Sequence, residues 1–205
     1  MLHLKEIRLK SDQFPTKDHY PFNLDVLCKT PKIIFSSPVT FFVGENGSGK
    51  STLLEALARR CQIYIWRGEE RTRAVVNHYE EWLFLYLETI WTDGIVPGSF
   101  FSSQIFRNFA QLVDVWEADN PGQIDYFGGK SLLTQSHGQS IMSFFKSRYK
   151  IKGLYLLDEP ETALSPKTQL ELLKPIKAIP YEETEHYQIY KSFMKDPRKF
   201  DKDPI

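Results

Sequence analysis

Leu2, Leu4, Ile7 and Leu9 alternate with polar residues except for one slip, which predicts an N-terminal strand with an irregularity in it. After a loop rich in Asp, Pro and Lys, Ile33-Ile34-Phe35 predicts a second short strand. Val39-Thr40-Phe41-Phe42-Val43 follows Pro38 and is almost wholly apolar, β-branched or aromatic, the signature of a strand buried on both faces. Residues 52–60 are strong helix formers, with Leu53, Leu54, Leu57 and Ala58 on one side. Between His78 and Trp91 the apolar positions 79, 82, 83, 86, 87 and 90 share one broad helical face, so a core-packed helix is expected there. Residues 92–98 are a turn-rich break, 104–116 read as helix, and Asn120-Pro121-Gly122 and Gly128-Gly129 punctuate the link to a helix starting near Ser136. Leu154-Tyr155-Leu156-Leu157 predicts a further buried strand, and 168–173 begin another helix. No repeat, low-complexity tract or heptad series is present.

A chain of 205 residues that is 41% hydrophobic and 14% aromatic can bury one substantial core, so a single domain over residues 1–205 is the expectation. Twenty-six basic residues balance twenty-six acidic ones, which removes any global field toward nucleic acid or anionic membrane. Nucleic-acid contact stays open only through a local patch such as Lys146, Arg148, Lys150 and Lys152 with Tyr149 between them, and its mark would be steep salt dependence. Cys28 and Cys61 have no metal-ligand or paired spacing and suit a reducing compartment. The N-terminus carries charge where a signal peptide needs an apolar run, and the most apolar segment, 82–87, is far short of the ~20 residues of a membrane span. A soluble, cytoplasmic protein without a membrane segment is expected.

The candidate chemistry begins at Gly44-Glu45-Asn46-Gly47-Ser48-Gly49-Lys50-Ser51, which fits G-x-x-x-x-G-K-[ST] and has the required context of an apolar run before it and a helix after it. Glycines let backbone N–H groups converge on phosphate oxygens, and the helix N-terminus adds positive partial charge. Lys50 would serve the β- and γ-phosphates of ATP, and the hydroxyl of Ser51 would ligate Mg²⁺. The strand at 154–157 delivers Asp158 and Glu159 at its C-terminal edge. Asp158 could hold Mg²⁺, usually through water, and Glu159 could orient or deprotonate the water that attacks the γ-phosphate.

In order and wording these pieces resemble the ABC-type P-loop ATPases, over about residues 1 to 174. GENGSGKST, which includes Thr52, is typical of that family's phosphate loop and LLDEPE of its second motif. Gln135-Ser136-His137-Gly138-Gln139 is similar to the LSGGQ signature, with histidine at the first glycine position. The resemblance implies an α/β fold with a mostly parallel sheet, flanking helices and a helical signature lobe at about 78–148. It also implies a homodimer joined head to tail around two MgATP, with Ser136, Gly138 and Gln139 reaching the γ-phosphate held by the other copy. Ala163-Leu164-Ser165-Pro166 resembles the D-loop along the dimer seam, and Gln104 is the best match to the Q-loop glutamine that meets Mg²⁺ and the attacking water. An aromatic ahead of the phosphate loop should carry the adenine, and Tyr20 is placed for it. The stretch between Ser51 and Ser136 is too short for coiled-coil arms, so the chain looks most like small stand-alone ATPases related to SMC and RecF-like heads.

The resemblance fails near 174–180. There the family has a strand ending in a switch histidine, whereas this chain runs Lys174-Pro175-Ile176-Lys177-Ala178-Ile179-Pro180, too short and proline-rich for a central strand. Either the segment is deleted, or it is disordered and absent from these residues, or it is lost in a degenerate homologue, and the first two readings are preferred. A break in the backbone between Leu173 and Pro180, or a substitute strand over the exposed sheet edge, is then expected. His186 lies in a polar helical setting, and with Glu182 it reads as a solvated face rather than a metal site. The favoured function is hydrolysis of MgATP to ADP and phosphate. The alternative is an ATP-gated binding or regulatory module with little turnover, and a small-molecule kinase is disfavoured because Glu159 directly follows Asp158. A partner protein on another chain stays open.

Overall fold

The computed structural model describes residues 2–67, 77–148, 152–162 and 164–177. Strand β1 (Leu4–Leu9) is the centre of an antiparallel sheet, flanked by β2 (Lys32–Ile34) and β3 (Leu87–Trp91). The slip in its alternation is a register irregularity between Leu4 and Glu6. That extra residue lets Leu4, Ile7 and Leu9 all turn inward, and each is buried. A second sheet has two strands, β4 (Gly98–Ser102) and β5 (Leu154–Asp158), paired in parallel from Gly98 opposite Leu154 to Ser102 opposite Asp158.

Between the parallel strands the chain makes a helical crossover through α3 (Phe106–Asp119) and α4 (His137–Arg148), the kind of connection a parallel pair needs. The short helix α1 (Asp25–Lys29) precedes the phosphate loop, α2 (Lys50–Arg60) follows it, and α5 (Pro166–Lys177) follows β5. Ser165 accepts from the Thr168 N–H at 3.3 Å ahead of Pro166 at the first helical position, the ordinary chemistry of a helix start.

Alternation along β4 divides the interior into two cores. Phe100 joins Leu57, Leu83, Leu87 and Leu156 in one cluster, while its neighbour Phe101 joins Phe106, Phe109, Phe144 and Phe145 in the other. The parallel pair is therefore the wall between a sheet-and-α2 core and an aromatic helical core, and the helical lobe begins at α3.

Several expectations are corrected. The sheet is not mostly parallel, because β1 pairs antiparallel with both its neighbours and only β4 with β5 is parallel. The run 39–43 forms no strand: Phe41 is 66% and Val43 93% exposed, and no described strand lies in hydrogen-bonding register with it. Strand-like composition cannot make a strand without a ladder partner. The helix expected over 78–91 is a turn, a 3-10 turn (Trp82–Tyr86) and β3. Leu83 and Leu87 are buried in either reading, and pairing with β1 decides the outcome because it satisfies backbone groups that a helix here would leave open on β1. The lobe at 78–148 shrinks accordingly, since Leu87–Trp91 and Gly98–Ser102 are strands of the two sheets.

Near the anticipated gap, α5 runs unbroken through Pro175 to Lys177, so the expected break does not occur before residue 178. Among the described residues β4 is the strand paired with β5, and no substitute strand lies on its other edge. Pro180, Glu182 and His186 lie outside the described residues.

Candidate functional site

The loop at 44–49 is shaped by glycines where other residues would be strained. Gly47 and Gly49 have φ of 81° and 90°, and a Cβ on Gly49 would come within 3.0 Å of the Leu24 side chain. Gly49 is the left-handed residue on which α2 begins, so Lys50, Ser51 and Thr52 stand in its first turn with free backbone N–H groups nearby. Gly44, Glu45, Asn46 and Gly47 are exposed, and Ser48 closes a turn by donating its N–H to the Glu45 carbonyl at 3.2 Å. The Lys50 ammonium lies back across this loop, donating to the carbonyl oxygens of Gly44 at 2.7 Å and Glu45 at 2.8 Å.

β5 brings Asp158 to the same place. The Ser51 hydroxyl donates to its Oδ1 at 2.9 Å, and Asp158 is only 6% exposed. Burial pushes this carboxyl above its ordinary range, with the hydroxyl bonds from Ser51 and Ser102 pulling the other way and the neighbouring Glu159 charge adding to the rise. Glu159 is half-buried with φ of 47°, a left-handed conformation that is uncommon for a residue with a side chain. Its Oε2 accepts weakly from the Thr162 hydroxyl at 3.4 Å.

A cavity of about 380 Å³ opens beside the start of α2, lined among others by Tyr20, Ser51, Thr52, Gln104 and Asn108. Tyr20 is held from both ends: its phenol shares a 2.8 Å hydrogen bond with the Thr52 hydroxyl, and its carbonyl accepts from the Asn77 amide at 2.8 Å. Gln104 lies in the turn after β4 and is exposed to the cavity. The far wall is charged. Arg67 pairs with Glu55, and Arg59 and Arg67 both reach Glu81. Burial raises the Glu55 carboxyl even so, against the pull of Arg67.

Ser136, Gly138, Gln139 and Ser165 do not line this cavity. Ser136 is exposed at the start of α4, where the Gln139 side chain accepts from its N–H at 3.2 Å in half of a capping box. The two segments touch each other, because a Cβ on Gly138 would sit 3.7 Å from Leu164. Ser165 shares a 2.9 Å hydrogen bond with Thr168, and Ala163 lies outside the described residues. In the basic run Lys146 and Lys152 are exposed, and Tyr149 and Lys150 lie outside the described residues.

Sequence reasoning missed Ser102, which meets Asp158 from β4, and the Glu55, Arg59, Arg67 and Glu81 wall. Gly98–Ser102 is too short to be recognised as a strand from its sequence, and its register against β5, which sets Ser102 opposite Asp158, is a tertiary fact. No sequence pattern marks the wall.

Among the described residues no group of three or more His, Cys, Asp or Glu side chains is placed to hold a metal. The oxygen pair of Ser51 and Asp158 fits instead a hard cation that takes one carboxylate and keeps most of its shell as water and phosphate oxygens. Among the described residues no helix is long and apolar enough to cross a membrane.

A family model described as an AAA domain matches residues 24–59, a segment that contains the phosphate loop and nearly all of α2. That segment is similar to the nucleotide-binding part of P-loop ATPases. No curated protein and no solved structure matches the chain.

Proposed function

We propose that this chain binds MgATP and hydrolyses it to ADP and phosphate, as an ABC-type ATPase whose two copies close head to tail around two nucleotides. One observation carries the reading: the hydroxyl that follows the loop lysine and the carboxylate at the end of β5, far apart in sequence, meet at 2.9 Å beside a glycine loop. A hydroxyl and a buried carboxylate at a phosphate loop are the donor set for magnesium on a nucleoside triphosphate.

In this reading the loop N–H groups and the α2 N-terminus bind the phosphates, and Lys50 leaves the Gly44 and Glu45 carbonyls for the β- and γ-oxygens. Ser51 and Asp158 hold Mg²⁺, which when bound neutralises charge that develops on the phosphates. Glu159 orients the attacking water and takes its proton, and Gln104 faces the same water from the cavity wall. Tyr20, fixed by Thr52 and Asn77, offers its ring to the adenine. Ser136 and Gln139 stand exposed at a helix start, with half-buried Gly138 between them, where a second copy's γ-phosphate can reach them, and Ser165 lies along the seam.

The test is titration of the full chain with ATP and Mg²⁺ by calorimetry, with released phosphate measured in parallel. Absence of binding in folded protein removes the proposal. An ATP-gated binding module with little turnover is the second reading, favoured because the only histidine after β5, His186, lies in a polar stretch unlike the family's strand-end histidine. Binding without steady-state phosphate release would select it.

A further inference from the structure

Ser102 is the last residue of β4 and stands directly opposite Asp158 in the parallel ladder. It is 5% exposed, so its hydroxyl is beyond the reach of bulk water. That hydroxyl donates to Asp158 Oδ2 at 3.4 Å, while Ser51 donates to Oδ1 at 2.9 Å. Each carboxylate oxygen therefore has its own partner, one from the phosphate-loop helix and one from β4. The backbone ties the next residue to the same strand end, because the Ser103 N–H donates to the Asp158 carbonyl at 3.3 Å.

From this geometry we infer that Ser102 is a positioning residue, which fixes the plane of the Asp158 carboxylate by holding Oδ2 and so keeps Oδ1 turned toward Ser51 and the cation. The inference rests on the MgATP reading above. A serine hydroxyl can give its proton to Oδ1 and a lone pair to a metal at once, so the Ser51 side of the carboxylate belongs to the cation site. Oδ2 then depends on β4. Without the Ser102 hydroxyl, a buried carboxylate oxygen loses a donor and the group gains freedom to rotate about its last torsion, which loosens the metal site without touching the phosphate cradle.

The full chain is titrated with a fluorescent, slowly hydrolysed ATP analogue, first in EDTA and then in Mg²⁺. The quantity read is the gain in nucleotide affinity that Mg²⁺ supplies. Ser102→Ala should lower that gain by about tenfold, the lower end of what loss of such an outer partner costs in metal affinity. Its affinity in EDTA should match wild type, while its melting temperature should fall by a few degrees because a buried acceptor has lost its donor. Ser102→Thr keeps the hydroxyl that reaches Oδ2, so the gain should return. An unchanged gain in Ser102→Ala overturns the inference while leaving the MgATP reading intact. So does an equal loss in EDTA and in Mg²⁺, which would mark a merely structural role. If wild type itself gains nothing from Mg²⁺, the MgATP reading fails and the role of Ser102 with it.

Discussion

The ammonium of Lys50 donates to the backbone carbonyl of Gly44 at 2.7 Å, so the one cation of the loop bends back over the place where phosphates would lie. Its hydrogen bonds are to exposed loop carbonyls and to Ser48, and none ties α2 to the core. Lys50→Ala should therefore leave melting within about 1 °C of wild type and weaken ATP binding by at least about a hundredfold, since it removes a charge-assisted contact to two phosphates. Calorimetry and a thermal melt on the same sample check it. Unchanged affinity would remove the phosphate-loop reading.

Glu159 follows Asp158 and is held in a left-handed conformation, φ 47°, that turns the chain sharply at the strand end. Glu159→Gln keeps the shape and removes the base. ATP binding should persist, turnover should fall by about a hundredfold or more, and ATP should hold copies together because the bound state is no longer consumed. Light scattering with ATP and Mg²⁺ reads the mass, and a monomer at high protein concentration would sink the head-to-tail arrangement.

Ser136 is exposed at the start of α4 and lies outside the lining of the cavity that contains Ser51, which suits a role in the other copy's site. A mixture of Lys50→Ala and Ser136→Arg chains should then recover part of the activity that each lacks alone, through heterodimers with one intact composite site. No recovery at any ratio counts against a shared site.

Burial raises the Asp158 carboxyl above its unfolded value, so the folded state binds its proton more tightly than the unfolded one. Stability then falls as pH rises from the unfolded carboxylate value through the raised folded value, and at neutral pH the buried charge is a cost. The hydroxyls of Ser51 and Ser102 can turn to accept from an amide, so Asp158→Asn should melt a few degrees higher than wild type at neutral pH and lose the effect of Mg²⁺ on nucleotide affinity. Melting curves from about pH 4 to pH 8 test the sign. A variant less stable than wild type at neutral pH contradicts it.

What could be read from sequence was what short-range chemistry decides. The phosphate loop, α2 and the strand carrying Asp158 are each set by residues close to one another in sequence (glycines, helix formers and an apolar run respectively), and α2 and the strand stand where expected. The irregularity in β1 was visible because Leu4 and Ile7 cannot both face inward in an unbroken alternation. Partner choice was not visible. Leu83 and Leu87 fit a helix face or a turn leading into a strand equally well, and only pairing with β1 separates the two. Val39 to Val43 look like a strand because of composition, yet composition contains nothing about whether a neighbour will be present. Gly98–Ser102 is too short to show a period, so the meeting of Ser102 with Asp158 could be found only in three dimensions.

The last prediction concerns rate. In the resembling family a histidine at a strand end contacts the γ-phosphate, and here the only histidine after β5 is His186, set in a polar stretch with Glu182, Glu183 and Glu185. The groups proposed to act on the reacting phosphate are Lys50, Glu159 and Gln104 with Ser136 of a second copy. A lost contact to a developing charge costs about 10² in rate, and an ordinary enzyme turns over near 10 s⁻¹, so turnover of about 0.1 s⁻¹ or slower is expected. Ground-state affinity should suffer less, because the glycine loop, the Ser51 and Asp158 pair and the Tyr20 ring proposed for adenine are all in place before chemistry begins. Rapid-quench measurement with labelled ATP separates the two: stoichiometric binding should be followed by a slow single turnover. Fast cleavage, near the rate of an ordinary enzyme, would mean that another side chain at the cavity holds the γ-phosphate, and Asn108, which lines the same space as Gln104, would be the first residue to replace.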